Sequence, residues 1–231
     1  MNKATPLPLP VVHSNAVPEP DLPLIHDRTY TARSYRRSAN EILVRGQLKD
    51  QKPPGLFIAD DPEPMAIHHM VVDLIVEYPT MTITDATVVM EVIPHTSCTK
   101  VTDHYKQLIG LSIARGFSHK VRELFGGPRG CSHTTALLQA MAPVAIQSIW
   151  SMRAIDGQGV PAVTPPAGLK PTPEQIEQRL AHNIDSCHVW SDNSEMVTRI
   201  RNGDPTEPPL WIQDRMAKLE LNPEQWPNDP T

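Results

Sequence analysis

The chain has 231 residues, 39% of them hydrophobic and 20% charged, with a formal net charge of −5. That length suits one ordinary domain with extensions. The acidic balance gives no basic field for nucleic acid and no attraction to an acidic membrane. No uninterrupted apolar run approaches membrane length. Three cysteines, Cys98, Cys131 and Cys187, form no tight framework, and the N-terminus has no cationic start followed by an apolar run. Both features point to reduced thiols in a cytoplasmic protein.

The 25 prolines are about twice ordinary usage and they cluster. Residues 1–25 read as a Pro-rich extended arm, and a homodimer joined through it is one arrangement it allows. The region 26–152 reads as the core domain. His26–Arg37 is rich in strand formers and arginine, Ser38–Asn40 is a turn, and Glu41–Lys49 is the partner strand. Ile67–Tyr78 and Thr80–Ile93 alternate clearly and form a second strand pair. After Pro94 the period turns helical: Cys98–Ile109, then Phe117–Phe125. The glycine-rich turn Gly126–Gly130 leads into the best helix of the chain, running to Met152 behind an N-cap at Ser132. Leu137, Leu138, Met141, Ala145, Ile146 and Ile149 give that helix its apolar face. Strands first and helices second predict an α+β domain, a small antiparallel sheet of about four strands covered on one face by helices. In 153–201 a Gly/Pro linker precedes a helix opened by Thr172-Pro173-Glu174-Gln175 and a hairpin carrying Cys187. Residues 202–231 are a proline-punctuated tail that Trp211 and Trp226 could anchor.

Residues able to carry chemistry stand at element boundaries. Cys131 and His133 open the long helix, and helical spacing turns His133 towards the buried stripe. His68 and His69 open a strand and must point to opposite faces. Met70, Val72 and Leu74 share the parity of His68, which makes it the inward one. His68, Cys98, Cys131 and His133 are therefore the candidate metal ligands, with zinc, iron or no metal all open. Arginine with tyrosine on a strand can hold a carboxylate. Arg28, Arg33 and Arg129 are candidate substrate-binding residues, and Tyr35 joins His133, Cys131 and His68 as candidate catalytic groups.

Arg33-Ser34-Tyr35-Arg36, His68-His69-Met70, Pro94 with Cys98, Gly130-Cys131-Ser132-His133 and Asp185-Ser186-Cys187 together resemble a bacterial family catalogued as a domain of unknown function. The resemblance covers roughly residues 26–190 and implies a place among proteins of aromatic-compound breakdown. The order of strand pair, Asp85-Ala86, cysteine, helices and a Cys-Ser-His helix start is also distantly similar to NifU-type iron–sulfur scaffolds, where three cysteines and an aspartate hold the cluster. Cys98 and Cys131 match the second and third cysteines, whereas Ile67-His68-His69 stands where the first would be. The expected function is a small lyase-type enzyme, decarboxylating or cleaving a C–C bond in an aromatic or other organic acid. Its partner is then a small-molecule carboxylate. A metal or iron–sulfur carrier and a non-catalytic interaction module are the alternatives.

Overall fold

The computed structural model describes residues 20–156, 172–181, 183–204 and 208–222. Two compact units are distinguished: residues 22–152, and residues 1–21 together with 153–231. Among the described residues no helix is long and apolar enough to cross a membrane.

The first unit is built on one antiparallel sheet of β1 (Asp27–Arg36), β2 (Glu41–Lys52), β3 (Met65–Glu77) and β4 (Thr82–Val92), in chain order across the sheet. Alternation decides its two faces. On β2 the residues Ile42, Val44 and Leu48 are buried, and on β3 so are Met70, Val72, Leu74 and Val76. Register places these side chains in cross-strand rows: Ile42 opposite Val76, Val44 opposite Leu74, Leu48 opposite Met70. The helical layer supplies Tyr105, Leu108, Phe117, Val121, Phe125, Leu137, Leu138, Met141, Ala145 and Ile149 to the same core. The fold is therefore α+β, as the order of elements predicts.

Three helical segments follow the sheet. The helix expected over Cys98–Ile109 is present as a 3-10 helix, Thr96–Leu108. Threonines favour the tighter wind here: Thr99 donates its hydroxyl to the Thr96 carbonyl and Thr102 to that of Thr99, each three residues back. Helix α1 spans Phe117–Phe125 and α2 spans Ser132–Ile155. Ser132 is the first helical residue of α2 rather than its cap. Helix α2 lies very close to the sheet because β2 carries Gly46 beneath it. A Cβ at Gly46 would sit 2.4 Å from Met141 Sδ and 3.1 Å from Leu137 Cδ1.

The second unit holds α3 (Pro173–Leu180), a 3-10 turn at His188–Trp190, α4 (Glu195–Asn202) and α5 (Leu210–Lys218). The capping box at Thr172 is formed as expected, with the Gln175 N–H donating to Thr172 Oγ1 and the Thr172 N–H donating to Gln175 Oε1. Ile176, Leu180, Val197 and Ile200 form its core. The expected hairpin after Asp185 is absent among the described residues, because Ser194 caps α4 and winds Met196–Ile200 into a helix. Trp211, expected as an anchor, is 67% exposed. Trp226, most of the Pro-rich arm and most of the linker lie outside the described residues.

Candidate functional site

At one end of the sheet three polar side chains form a cross-strand row on the helix-covered face. Arg28 of β1 stands opposite Asp50 of β2, and Asp50 stands opposite His68 of β3. The register shifts immediately after Asp50, so that Gln51 pairs with Ala66. Such bulges re-aim side chains at the ends of strands.

Helix α2 places the fourth group over this row. Gly130 packs against Phe125 so tightly that a Cβ would lie 2.7 Å from the Phe125 carbonyl oxygen. The Cys131 N–H donates to the buried Tyr105 hydroxyl at 2.9 Å. The Cys131 carbonyl accepts the first helical bond from the Thr135 N–H. These contacts fix the start of α2 and set His133 above His68. The two imidazoles stack, with ring centroids 3.8 Å apart and planes inclined by 27°.

Asp50 is the centre of the cluster and is 1% exposed. Arg28 donates through Nε to Oδ1 at 2.5 Å and through Nη2 to Oδ2 at 2.7 Å, a bidentate fork. His68 Nδ1 lies 3.1 Å from Oδ2, His133 Nε2 lies 3.3 Å from the same oxygen, and His26 Nε2 lies 3.6 Å from Oδ1. The hydrogen bond from Arg28 holds the Asp50 carboxyl below its ordinary value against the opposing effect of burial. Asp50 holds Arg28 above its own ordinary value in return. Burial pushes His133 down, the neighbouring His68 pushes the same way, and Asp50 opposes both. The resting state is an ionised carboxylate, a guanidinium and a neutral His133 imidazole. A carboxylate oxygen has two lone pairs. Arg28 takes one on Oδ2, which leaves one for two imidazoles.

The same atoms have the donor set of a metal site. Asp50, His68 and His133 each offer a ligand atom, and the three lie within 4.8 Å of one another. Among the described residues no other such group of His, Cys, Asp or Glu occurs.

The candidates read from sequence divide sharply. His68, His133 and Arg28 come together. Cys131 adjoins them, with Sγ 3.7 Å from His133 Nδ1, but it is outside the ligand group. Cys98, at the start of the 3-10 helix, is also outside it, so the four-ligand set of His68, Cys98, Cys131 and His133 does not form. All three cysteines are free. Tyr35 and Arg33 have the opposite parity to Arg28, pair with Leu43 and Arg45, and are exposed on the uncovered face. Arg129 is exposed; its Nη2 donates to the Arg122 carbonyl, and its own carbonyl accepts from His104 Nδ1. An open groove of about 260 Å³ between α1 and α2, which includes Phe117, Gln139, Pro143 and Ile146 in its lining, contains none of the cluster.

Asp50, His26 and Tyr105 were not foreseen. Asp50 had a signal: it continues the parity of Ile42, Val44 and Leu48, one residue past the expected strand end at Lys49. Tyr105 had none, since nothing local marks a phenol that caps a distant helix.

The family model for a protein of unknown function, DUF2889, matches residues 26–147, which include every member of the cluster. The chain belongs to the DUF2889 family. No curated protein and no solved structure matches it, so the likeness to NifU-type scaffolds gains no support.

Proposed function

We propose that this DUF2889 protein is a lyase-type enzyme acting on an organic acid, with the Asp50 cluster as its proton-transfer centre. The carrying observation is the single free lone pair on Asp50 Oδ2 between two stacked imidazole nitrogens. Only one imidazole can donate there, and the neutral ring that does so carries its one proton on that nitrogen, which leaves its other ring nitrogen free to take a proton from a substrate. His133 is the acceptor, because its burial favours the neutral form. His68 is the relay partner, Asp50 orients both rings, and Arg28 offers its guanidinium to a carboxylate, with His26 beside it. The free state of all three cysteines supports a cytoplasmic setting.

Incubation of the purified protein with a panel of aromatic and aliphatic acids, read by product mass, tests this reading. Turnover of at least one acid is expected, with His133→Asn lowering kcat by about 10²-fold or more while the substrate still binds. Turnover that is unchanged in both His133→Asn and His68→Asn removes the proton-transfer centre.

One observation favours a second reading. Two histidines and a carboxylate within 4.8 Å match the donor set of non-haem iron and related divalent metal sites. The Arg28 fork on both carboxylate oxygens works against it, because a fixed cation sits beside the incoming ion. An iron–sulfur cluster is a poorer fit, since the group has no thiolate among the described residues. Stoichiometric metal in purified protein, lost in His68→Ala, would establish the second reading; metal-free protein with full activity would remove it.

A further inference from the structure

The hairpin loop joining β2 to β3 leaves the sheet at the end where the cluster stands. It departs two residues after Asp50 and returns three residues before His68. Its tip carries three consecutive exposed apolar side chains, Leu56 at 47%, Phe57 at 66% and Ile58 at 57% exposure. Exposing such a run in water is unfavourable, and it marks a surface that meets something apolar. The tip is shaped by turns rather than left loose: the Leu56 N–H donates to the Pro53 carbonyl, the Asp61 N–H to the Ile58 carbonyl, and Gly55 takes φ +71°. Lys52 is the last residue of β2, two residues beyond Asp50. Its Nζ lies 5.6 Å from the centre of the Phe57 ring. The apolar tip is thereby folded back on the end of β2 that carries Asp50.

The opposite rim of the cluster, at the start of β1, is wet and carries the Arg28 guanidinium. His26 and Arg28 are each 36% exposed at the side chain, and Tyr30, two residues on, is 42% exposed. Arg28 spends Nε and Nη2 on Asp50 and also interacts with the Tyr30 side chain, so that guanidinium and phenol form one polar edge. The charges after the hairpin tip, at Asp60, Asp61 and Glu63, are acidic, and its one nearby cation, Lys52, lies over the Phe57 ring.

We propose that the site binds a monocarboxylate with a bulky apolar body: the carboxylate against His26, Arg28 and Tyr30, the body against Leu56, Phe57 and Ile58. This names the substrate class for the centre proposed above and rests on that reading. The reacting carbon then lies between the two anchors, beside His133 and His68. Burying an aromatic ring at the tip strengthens binding in proportion to the area removed from water, while acetate gains only the cationic contact.

Calorimetric titration of the full chain with benzoate, acetate and benzyl alcohol tests the proposal without requiring turnover. Benzoate is expected to bind at least about tenfold more tightly than either of the others, since each lacks one anchor. Phe57→Ser should weaken benzoate about fivefold and leave acetate unchanged. Phe57 is exposed, so that variant keeps the fold, and an unchanged circular dichroism melt checks it. Arg28→Gln should weaken benzoate and acetate alike. Benzoate binding no tighter than acetate, or unaltered by Phe57→Ser, overturns the proposal even if His133→Asn abolishes turnover of some other acid. Conversely, the expected binding pattern with no turnover of any acid upholds this inference and removes the proton-transfer reading.

Discussion

His133 lies over His68 with ring centroids 3.8 Å apart, one residue from the first turn of α2 and the other from β3. His68 helps to push His133 below its ordinary value, and Asp50 works in the opposite direction. Activity that needs neutral His133 should be retained above its folded pKa and fall on the acid side. Because that pKa is depressed, the acid limb lies below the ordinary histidine value of about 6.5. His68→Asn should move the limb upward, towards but not reaching the ordinary value, since burial remains. Asp50→Asn should move it further down. NMR titration of the His133 ring in each variant checks both signs without depending on turnover. Shifts in the same direction for both variants would contradict this account.

Arg28 and Asp50 couple the site to stability. Asp50 is a buried carboxylate whose pKa is lowered on folding. The sign follows from linkage: a depressed carboxyl contributes stability above its unfolded value, and that contribution is lost as pH falls through the folded value. Acid unfolding should therefore draw on Asp50 only below the ordinary carboxylate range of about 4. Arg28→Ala leaves the carboxylate buried without its fork. We expect a loss of about 2–3 kcal/mol at neutral pH, less than for a fully buried pair because Arg28 is partly exposed. Urea denaturation at pH 7 and pH 3 measures it, and the difference between variant and parent should shrink at the lower pH.

Gly46 tests how the helix reaches the sheet. A valine there would drive its Cβ into Met141 Sδ, 2.4 Å away, and the branch has nowhere to turn because Leu137 is also close. Helix α2 must lift, at a cost of about 1–3 kcal/mol or more. His133 rides on the same helix, so Gly46→Val should also weaken the His133–His68 contact. Thermal melting gives the first effect, and loss of the mutual perturbation of the two histidine signals gives the second.

Much of this arrangement was legible in the sequence because it follows from parity. Met70, Val72 and Leu74 choose His68 over His69 as the inward histidine, and His69 indeed turns outward to Glu91. The same rule applied to β1 was underdetermined. Arg28, Tyr30 and Ala32 share one side and Arg33 and Tyr35 the other, and both sides mix charge with aromatic surface. Only the register, which sets Ala32 opposite Gly46 beneath α2, selects the first. Asp50 was hidden by the bulge that follows it. Strand ends are where alternation loses force, and a carboxylate there looks like the start of a polar loop. The cysteines attracted attention as ligands, yet the group that converges is carboxylate and imidazole.

Tyr105 is the least visible contributor. Its hydroxyl, carried on a 3-10 helix, accepts the Cys131 N–H at 2.9 Å while its ring packs on Phe125 with centroids 4.6 Å apart. Burial raises the phenol above its ordinary value, so it stays protonated at neutral pH. Tyr105→Phe preserves the ring but strands the Cys131 N–H at the start of α2. An unsatisfied buried donor costs about 1–3 kcal/mol, which denaturant unfolding should register. The functional consequence is separable from the stability loss. The N–H of Cys131 helps to set the first turn that carries His133, so the acid limb attributed to His133 should move in Tyr105→Phe even at temperatures where the variant is fully folded. A destabilised variant with an unmoved limb would make Tyr105 a packing residue alone.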